Sequence, residues 1–182
     1  MKNHYLLRIA LGLALLLVAP QLWAQDYSFY LFPSNDISGP PGSTIGWGYY
    51  IVNSNPTDWL APENLSSDPF EYGTANNIFD FPDIAPSSYA IEGFDPIAQT
   101  GLYELTWYNS APVDFANYGT FVLSADWYSG DPGNGGIDLG PAGDEYALYT
   151  ASVTAVVPEP AILALLLTGL IGIGALRKSI TA

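Results

Sequence analysis

The sequence predicts an all-β fold, an antiparallel β-sandwich, set between two apolar ends. Three observations predict it. Aromatic and aliphatic residues alternate with polar ones at a period of two in successive segments, as half-buried strands require. Twelve prolines lie between Pro33 and Pro141, enough to break most candidate helices. Clusters of Gly, Pro, Asn, Asp and Ser recur at intervals of about ten residues, the punctuation of a sandwich.

The elements are justified in chain order. Residues 1–24 read as a secretory signal peptide with a helical core. Lys2 and Arg8 supply the positive start, residues 9–18 form an uncharged apolar run, and Ala24 offers a small residue at the cut. The run is short of the about 20 residues a membrane span needs, which disfavours an uncleaved anchor.

Residues 25–156 form one exported domain. Residues 27–32 are an aromatic run closed by Pro33-Ser34-Asn35-Asp36. Residues 44–53 alternate, with Ile45, Trp47, Tyr49 and Ile51 on one face. A shorter segment starts at Trp59-Leu60. Residues 102–107 place Tyr103, Leu105 and Trp107 in register, and residues 120–128 do the same for Phe121, Leu123, Ala125 and Trp127. A last strand over residues 146–157 sets Ala147, Tyr149, Ala151 and Val153 on one face. Between the last two strands, residues 129–145 are the longest polar stretch and read as a hairpin tip. The segment Gly-Trp-Gly-Tyr-Tyr-Ile-Val-Asn-Ser-Asn at residues 46–55 resembles the second strand of immunoglobulin-like modules, which implies an immunoglobulin-like sandwich.

Composition excludes much chemistry. Every basic residue lies near an end: Lys2, His4, Arg8, Arg177 and Lys178. Residues 26–156 hold no Lys, Arg, His or Cys, yet carry 17 of the 18 carboxylates, the last being Glu159. Thiol, imidazole and Schiff-base chemistry are absent. Zinc and copper sites lack their usual nitrogen and sulfur ligands. Nucleic-acid binding lacks every cation it needs. Without cysteine, folding relies on the core alone.

Three constellations remain. The glycine-interleaved residues Asp131, Asn134, Asp138 and Asp144 offer hard oxygen ligands on a flexible loop, suited to calcium but not spaced as an EF-hand. Acids with glycine are also ordinary turn chemistry. Asp80 and Asp83 are the pair a small glycosidase would need, but carboxylate pairs are common in turns, and the reading is non-enzymatic. Among the tryptophans, Trp47, Trp107 and Trp127 are expected in the core, while Trp59 beside a turn is the candidate for stacking on a sugar. Repulsion among the carboxylates is expected to raise their pKa values, so stability should grow as pH falls, and millimolar calcium should add to it.

Residues 157–182 form a third segment. Pro158-Glu159-Pro160 precedes sixteen uncharged residues, 161–176, and then Arg177-Lys178. As a helix this run covers about 24 Å and spans a membrane with local thinning, its two cations on the cytoplasmic side. The three parts in this order resemble the sorting tail of PEP-CTERM proteins, although tails of that family often end in several arginines. The resemblance implies recognition of Pro158, Glu159 and Pro160 by an exosortase, after passage through the secretion translocon. It also implies a cell-surface or matrix role linked to exopolysaccharide and biofilm. The expected course is inner-membrane anchoring by the C-terminal helix, then the cell surface or the extracellular space. A carbohydrate- or calcium-binding module is the alternative.

Overall fold

The computed structural model describes residues 26–156. The signal segment 1–24, the helix over 161–176 and the sorting residues Pro158, Glu159, Pro160, Arg177 and Lys178 lie outside the described residues. Among the latter the strands are β1 (Tyr27–Phe32), β2 (Asp36–Gly39), β3 (Thr44–Asn53), β4 (Trp59–Ser67), β5 (Gly73–Asn77), β6 (Ser88–Glu92), β7 (Tyr103–Trp107), β8 (Ala116–Tyr128) and β9 (Asp138–Val153), with one 3₁₀ turn at Pro132–Asn134.

These strands form two sheets. One runs β1-β3-β7-β5, with β6 also on β3, and the other runs β2-β9-β8-β4. The long β3 organises the first sheet: Thr44–Trp47 pair with β7, while Tyr49–Asn53 pair with β1 on one edge and β6 on the other. The chain changes sheets at once after β1. Beyond Pro33, β2 joins the second sheet and runs parallel to β9, from Asp36↔Thr150 to Gly39↔Val153. That pair departs from the all-antiparallel expectation. The crossover after β1 thus sets β2 alongside β9, both running in the same direction.

The alternation places the core as expected. Trp47, Tyr49 and Ile51 of β3 and Leu105 and Trp107 of β7 face Phe121, Leu123 and Ala125 of β8 and Ala147, Tyr149, Ala151 and Val153 of β9, all buried. Rings fill the middle: Trp47 meets Phe121 edge-on at 5.2 Å, and Tyr149 lies 4.6 Å from Phe121 and stacks on Phe70 at 5.0 Å. Trp127 is only partly buried and packs edge-on against Tyr27.

Three strands are absent from the sequence reading. β2 has a single apolar residue, Ile37, and lies where a turn was expected. β5, Gly-Thr-Ala-Asn-Asn, has no apolar alternation because it is a short edge strand. β6 reverses the usual pattern, with Tyr89 and Ile91 exposed and the smaller Ser88 and Ala90 half-buried. Half of the expected hairpin tip is also strand, since β9 begins at Asp138. It accommodates Gly140 and Gly143 at φ 100° and 97°, where its register to β8 shifts, and this bends an acidic segment that reads as loop. The edge strand β4 runs to Ser67, with a bulge between Pro62 and Asn64.

The two core tryptophans differ in one respect. Trp47 Nε1–H donates to the Asn35 carbonyl at 3.1 Å, whereas the buried Trp107 Nε1–H finds no acceptor among the described residues. Trp107→Phe removes an unpaired donor, while Trp47→Phe removes a hydrogen bond. Urea unfolding is therefore expected to show Trp107→Phe as the milder change by about 1–2 kcal/mol.

Candidate functional site

The β1–β2 crossover leaves a groove beside β9. Two adjoining concavities of about 460 Å³ and 300 Å³ share Asn35 and Leu148. The larger lies over β8 and β9, between Asp36, Tyr118, Thr120 and Thr150; the smaller lies between β1 and β9, lined by Tyr30, Glu145 and Tyr146. Period-two alternation explains the lining. Because Phe121, Ala147 and Tyr149 point inward, Thr120, Tyr146 and Leu148 must point outward. Tyr118 is 76% exposed, Leu148 70% and Tyr146 62%.

Asn35 fixes the crossover at the middle of the groove. Its side-chain amide donates to the Leu148 carbonyl at 2.8 Å, and its own carbonyl accepts from the Thr150 N–H at 3.0 Å and from Trp47 Nε1. The groove is thus tied to the central ring of the core. Behind it, Tyr149 reaches across Gly119, whose missing Cβ leaves room for the hydroxyl, and donates to the Asp68 carbonyl at 3.1 Å. The Tyr27 hydroxyl lies 3.0 and 2.8 Å from the Leu123 and Gly143 carbonyls and shares its one proton between them. Burial pushes both tyrosines well above the usual phenol range, so they stay protonated donors.

Electrostatically the groove offers acceptors. Burial pushes the Glu145 carboxyl up, and the Tyr146 backbone N–H offsets part of this. Asp36 adds a second carboxylate at the other end. With no cation in residues 26–156, the site favours a ligand that donates hydrogen bonds and carries no negative charge.

The residues singled out by sequence fall elsewhere. Asp131 and Asn134 meet at the hairpin tip, where the Asn134 amide donates to Asp131 Oδ2 at 2.6 Å and the Gly133 N–H to Oδ1 at 2.9 Å. Asp138 accepts from the Gly140 N–H, opposite Tyr128, and Asp144 accepts from the Ser124 hydroxyl further along the same hairpin. The four are therefore spread along the hairpin, and no group of three or more acids or histidines able to hold a metal occurs among the described residues. Trp59 is half-buried, opposite Tyr128 at the start of β4. Asp80 accepts from the Tyr49 hydroxyl at 2.7 Å, which helps burial to keep that phenol protonated.

Asp83 is raised, by burial first and by Asp131 second. Desolvation, rather than repulsion, is thus the leading cause at both raised carboxylates, Asp83 and Glu145. The sign of the pH effect is unchanged. A raised folded pKa means the native state holds its proton longer, so their contribution is greatest below the ordinary values of 3.8 and 4.5 and is lost as pH rises through the raised ones. Asp95, lowered by the Ala98 and Ile97 N–H groups, has the opposite sign: its contribution is present in full above the ordinary value and is lost as pH falls through the lowered one. At low salt the urea midpoint is expected to be higher at pH 5 than at pH 8, with a smaller difference in Asp83→Asn. Equal midpoints in the unmodified protein would contradict this.

The sequence reading missed Tyr118, Tyr146 and Leu148. The signal was present: once Ala147 and Tyr149 are assigned inward, large apolar residues at 146 and 148 must face solvent. No family model matches the chain, and no curated protein matches it. Among solved structures, the chain is similar to the ASH/PapD-like domain 7 of human CEP192, at 9% identity over 78% of this chain and 94% of that one, with a TM-score of 0.40. It is also similar to a chain of the CaDoc0917–CaCohA2 complex, at 14% identity over 70% of this chain and 99% of that one, with a TM-score of 0.25.

Proposed function

We propose that this is an exported, non-enzymatic surface or matrix protein whose immunoglobulin-like sandwich holds neutral exopolysaccharide in the Tyr118–Tyr146 groove. One observation carries the reading: exposed Tyr118, Tyr146 and Leu148 line concavities rimmed by hydrogen-bond acceptors, in a domain without a single cation. Sugar rings present apolar faces to tyrosine and hydroxyl donors to Asp36 and Glu145. Acidic polymers are repelled. The Pro158-Glu159-Pro160 tail and the basic pair Arg177-Lys178 support delivery by an exosortase-type system, with the C-terminal helix holding the protein at the inner membrane first.

Binding to neutral polysaccharide, followed by affinity electrophoresis, tests the groove. Tyr118→Ala and Tyr146→Ala are each expected to weaken it roughly three- to tenfold, the worth of one aromatic contact. Retention by an acidic polymer such as alginate, or binding indifferent to both variants, would overturn the assignment. Separately, replacing Pro158 and Pro160 with Ala is expected to leave the protein in the inner-membrane fraction.

A further inference from the structure

The groove is long for a site that takes one sugar. Tyr118 of β8 stands opposite Thr150 of β9, and Tyr146 lies four residues before Thr150, so both tyrosines share the outer face of the second sheet. Strand rise and spacing set their backbones about 14 Å apart. Leu148 stands between them, opposite Thr120. A pyranose ring is far shorter than that distance, so no single ring can stack on both. The two halves also repeat one set of parts. The larger concavity joins Tyr118 to the Asp36 carboxylate, the smaller joins Tyr146 to the Glu145 carboxylate, and Asn35 and Leu148 belong to both. Every lining residue comes from β1, β2, β8, β9 or Asn35 of the crossover. Among the described residues no other loop lines either half, and the groove has no end wall.

We propose, on the basis of the glycan reading above, that the groove grips an internal stretch of one extended neutral glycan, with a different sugar of the same chain on each tyrosine. Chain ends are not what it recognises. A site for a terminal sugar has to close around the last ring and its extra hydroxyl, and these open halves offer nothing that does so. What they offer, an apolar platform with an acceptor beside it, matches a pattern that every sugar of a polymer repeats. Each half alone is shallow and holds its sugar weakly. Once one sugar rests on Tyr118, another further along the chain is held close to Tyr146, so the second contact is intramolecular. Affinity therefore comes from spanning both halves and depends on the length of the glycan.

Cutting the polymer separates interior from ends. Mixed-linkage β-glucan, pullulan and glucomannan are linear and neutral. The full chain is held by each intact polymer in affinity electrophoresis, and graded fragments of that polymer compete at equal mass. Competition is expected to stay level while the fragments are longer than the groove, then to fall roughly tenfold between fragments of about six residues and disaccharides. In Tyr118→Ala and in Tyr146→Ala only one platform remains, so long and short fragments should then compete alike, within about threefold. Competition that rises as chain ends multiply, or a disaccharide as effective as the long fragments, would overturn the internal mode and leave the glycan assignment standing. Retention by none of the three polymers, or retention indifferent to both variants, would overturn the glycan assignment and the internal mode together.

Discussion

Trp47→Ala is expected to destabilise the protein by about 4 kcal/mol, the middle of the range for truncating a buried aromatic. Trp47 is fully buried between the sheets, against Phe121 at 5.2 Å, Tyr149 at 5.1 Å and Phe70 at 6.0 Å. Truncation removes the ring that these three pack around, and their own rigidity prevents the space from closing. It also removes the donor to the Asn35 carbonyl. Against a total stability of about 5–15 kcal/mol, this is a large fraction. Asn35 lines both halves of the groove, so polysaccharide affinity should fall even in the folded fraction. Urea unfolding followed by far-ultraviolet circular dichroism measures the first effect. A midpoint shift no larger than that of Trp107→Phe would contradict the packing argument.

Asn53→Ala is expected to cost about 3 kcal/mol, although its side chain is small. Asn53 is 1% exposed, and its amide nitrogen lies 2.9, 3.0 and 3.1 Å from the Asp58, Ile84 and Ala85 carbonyls. Two N–H bonds thus serve three acceptors, while its oxygen accepts from the Asn55 N–H at 3.0 Å. The Ile84 carbonyl keeps the Leu60 N–H as a partner after truncation; the buried Asn55 N–H and the part-buried Asp58 and Ala85 carbonyls lose theirs, and an unsatisfied buried polar atom costs about 1–3 kcal/mol. Asn53→Asp is nearly isosteric but sets a carboxylate oxygen against the three carbonyls. Its folded pKa must lie above its unfolded one, so the variant regains stability as pH falls toward the carboxylate range. A pH-independent deficit in Asn53→Asp would show that the amide's donors are not what matters there.

The strands that sequence reveals are those whose inward side chains are large. β1 and β3 match the expected segments because Phe29, Leu31, Trp47 and Ile51 leave an unbroken period of two. β5 and β6 are held by backbone pairing to β7 and β3, and such pairing leaves little trace in residue type. The groove was half legible. Tyr146 and Leu148 stand out once their neighbours are assigned inward, but Asn35 and Asp36 join them only through the crossover after β1, a long-range fact that no local pattern encodes. Composition reports which oxygen ligands are available but not how they are spaced; strand pairing sets Asp138 and Asp144 along β9, apart from Asp131 at the tip.

The parallel contact of β2 with β9 has a mechanical consequence. Tension applied between the start of β2 and the end of β9 pulls the two strands in opposite directions along their common axis. Their hydrogen bonds, from Asp36↔Thr150 to Gly39↔Val153, are then loaded in shear and must yield together, not one at a time like a zip. A domain tethered beyond β9 and dragged by material gripping its opposite end would resist extraction at the pair of strands that closes it.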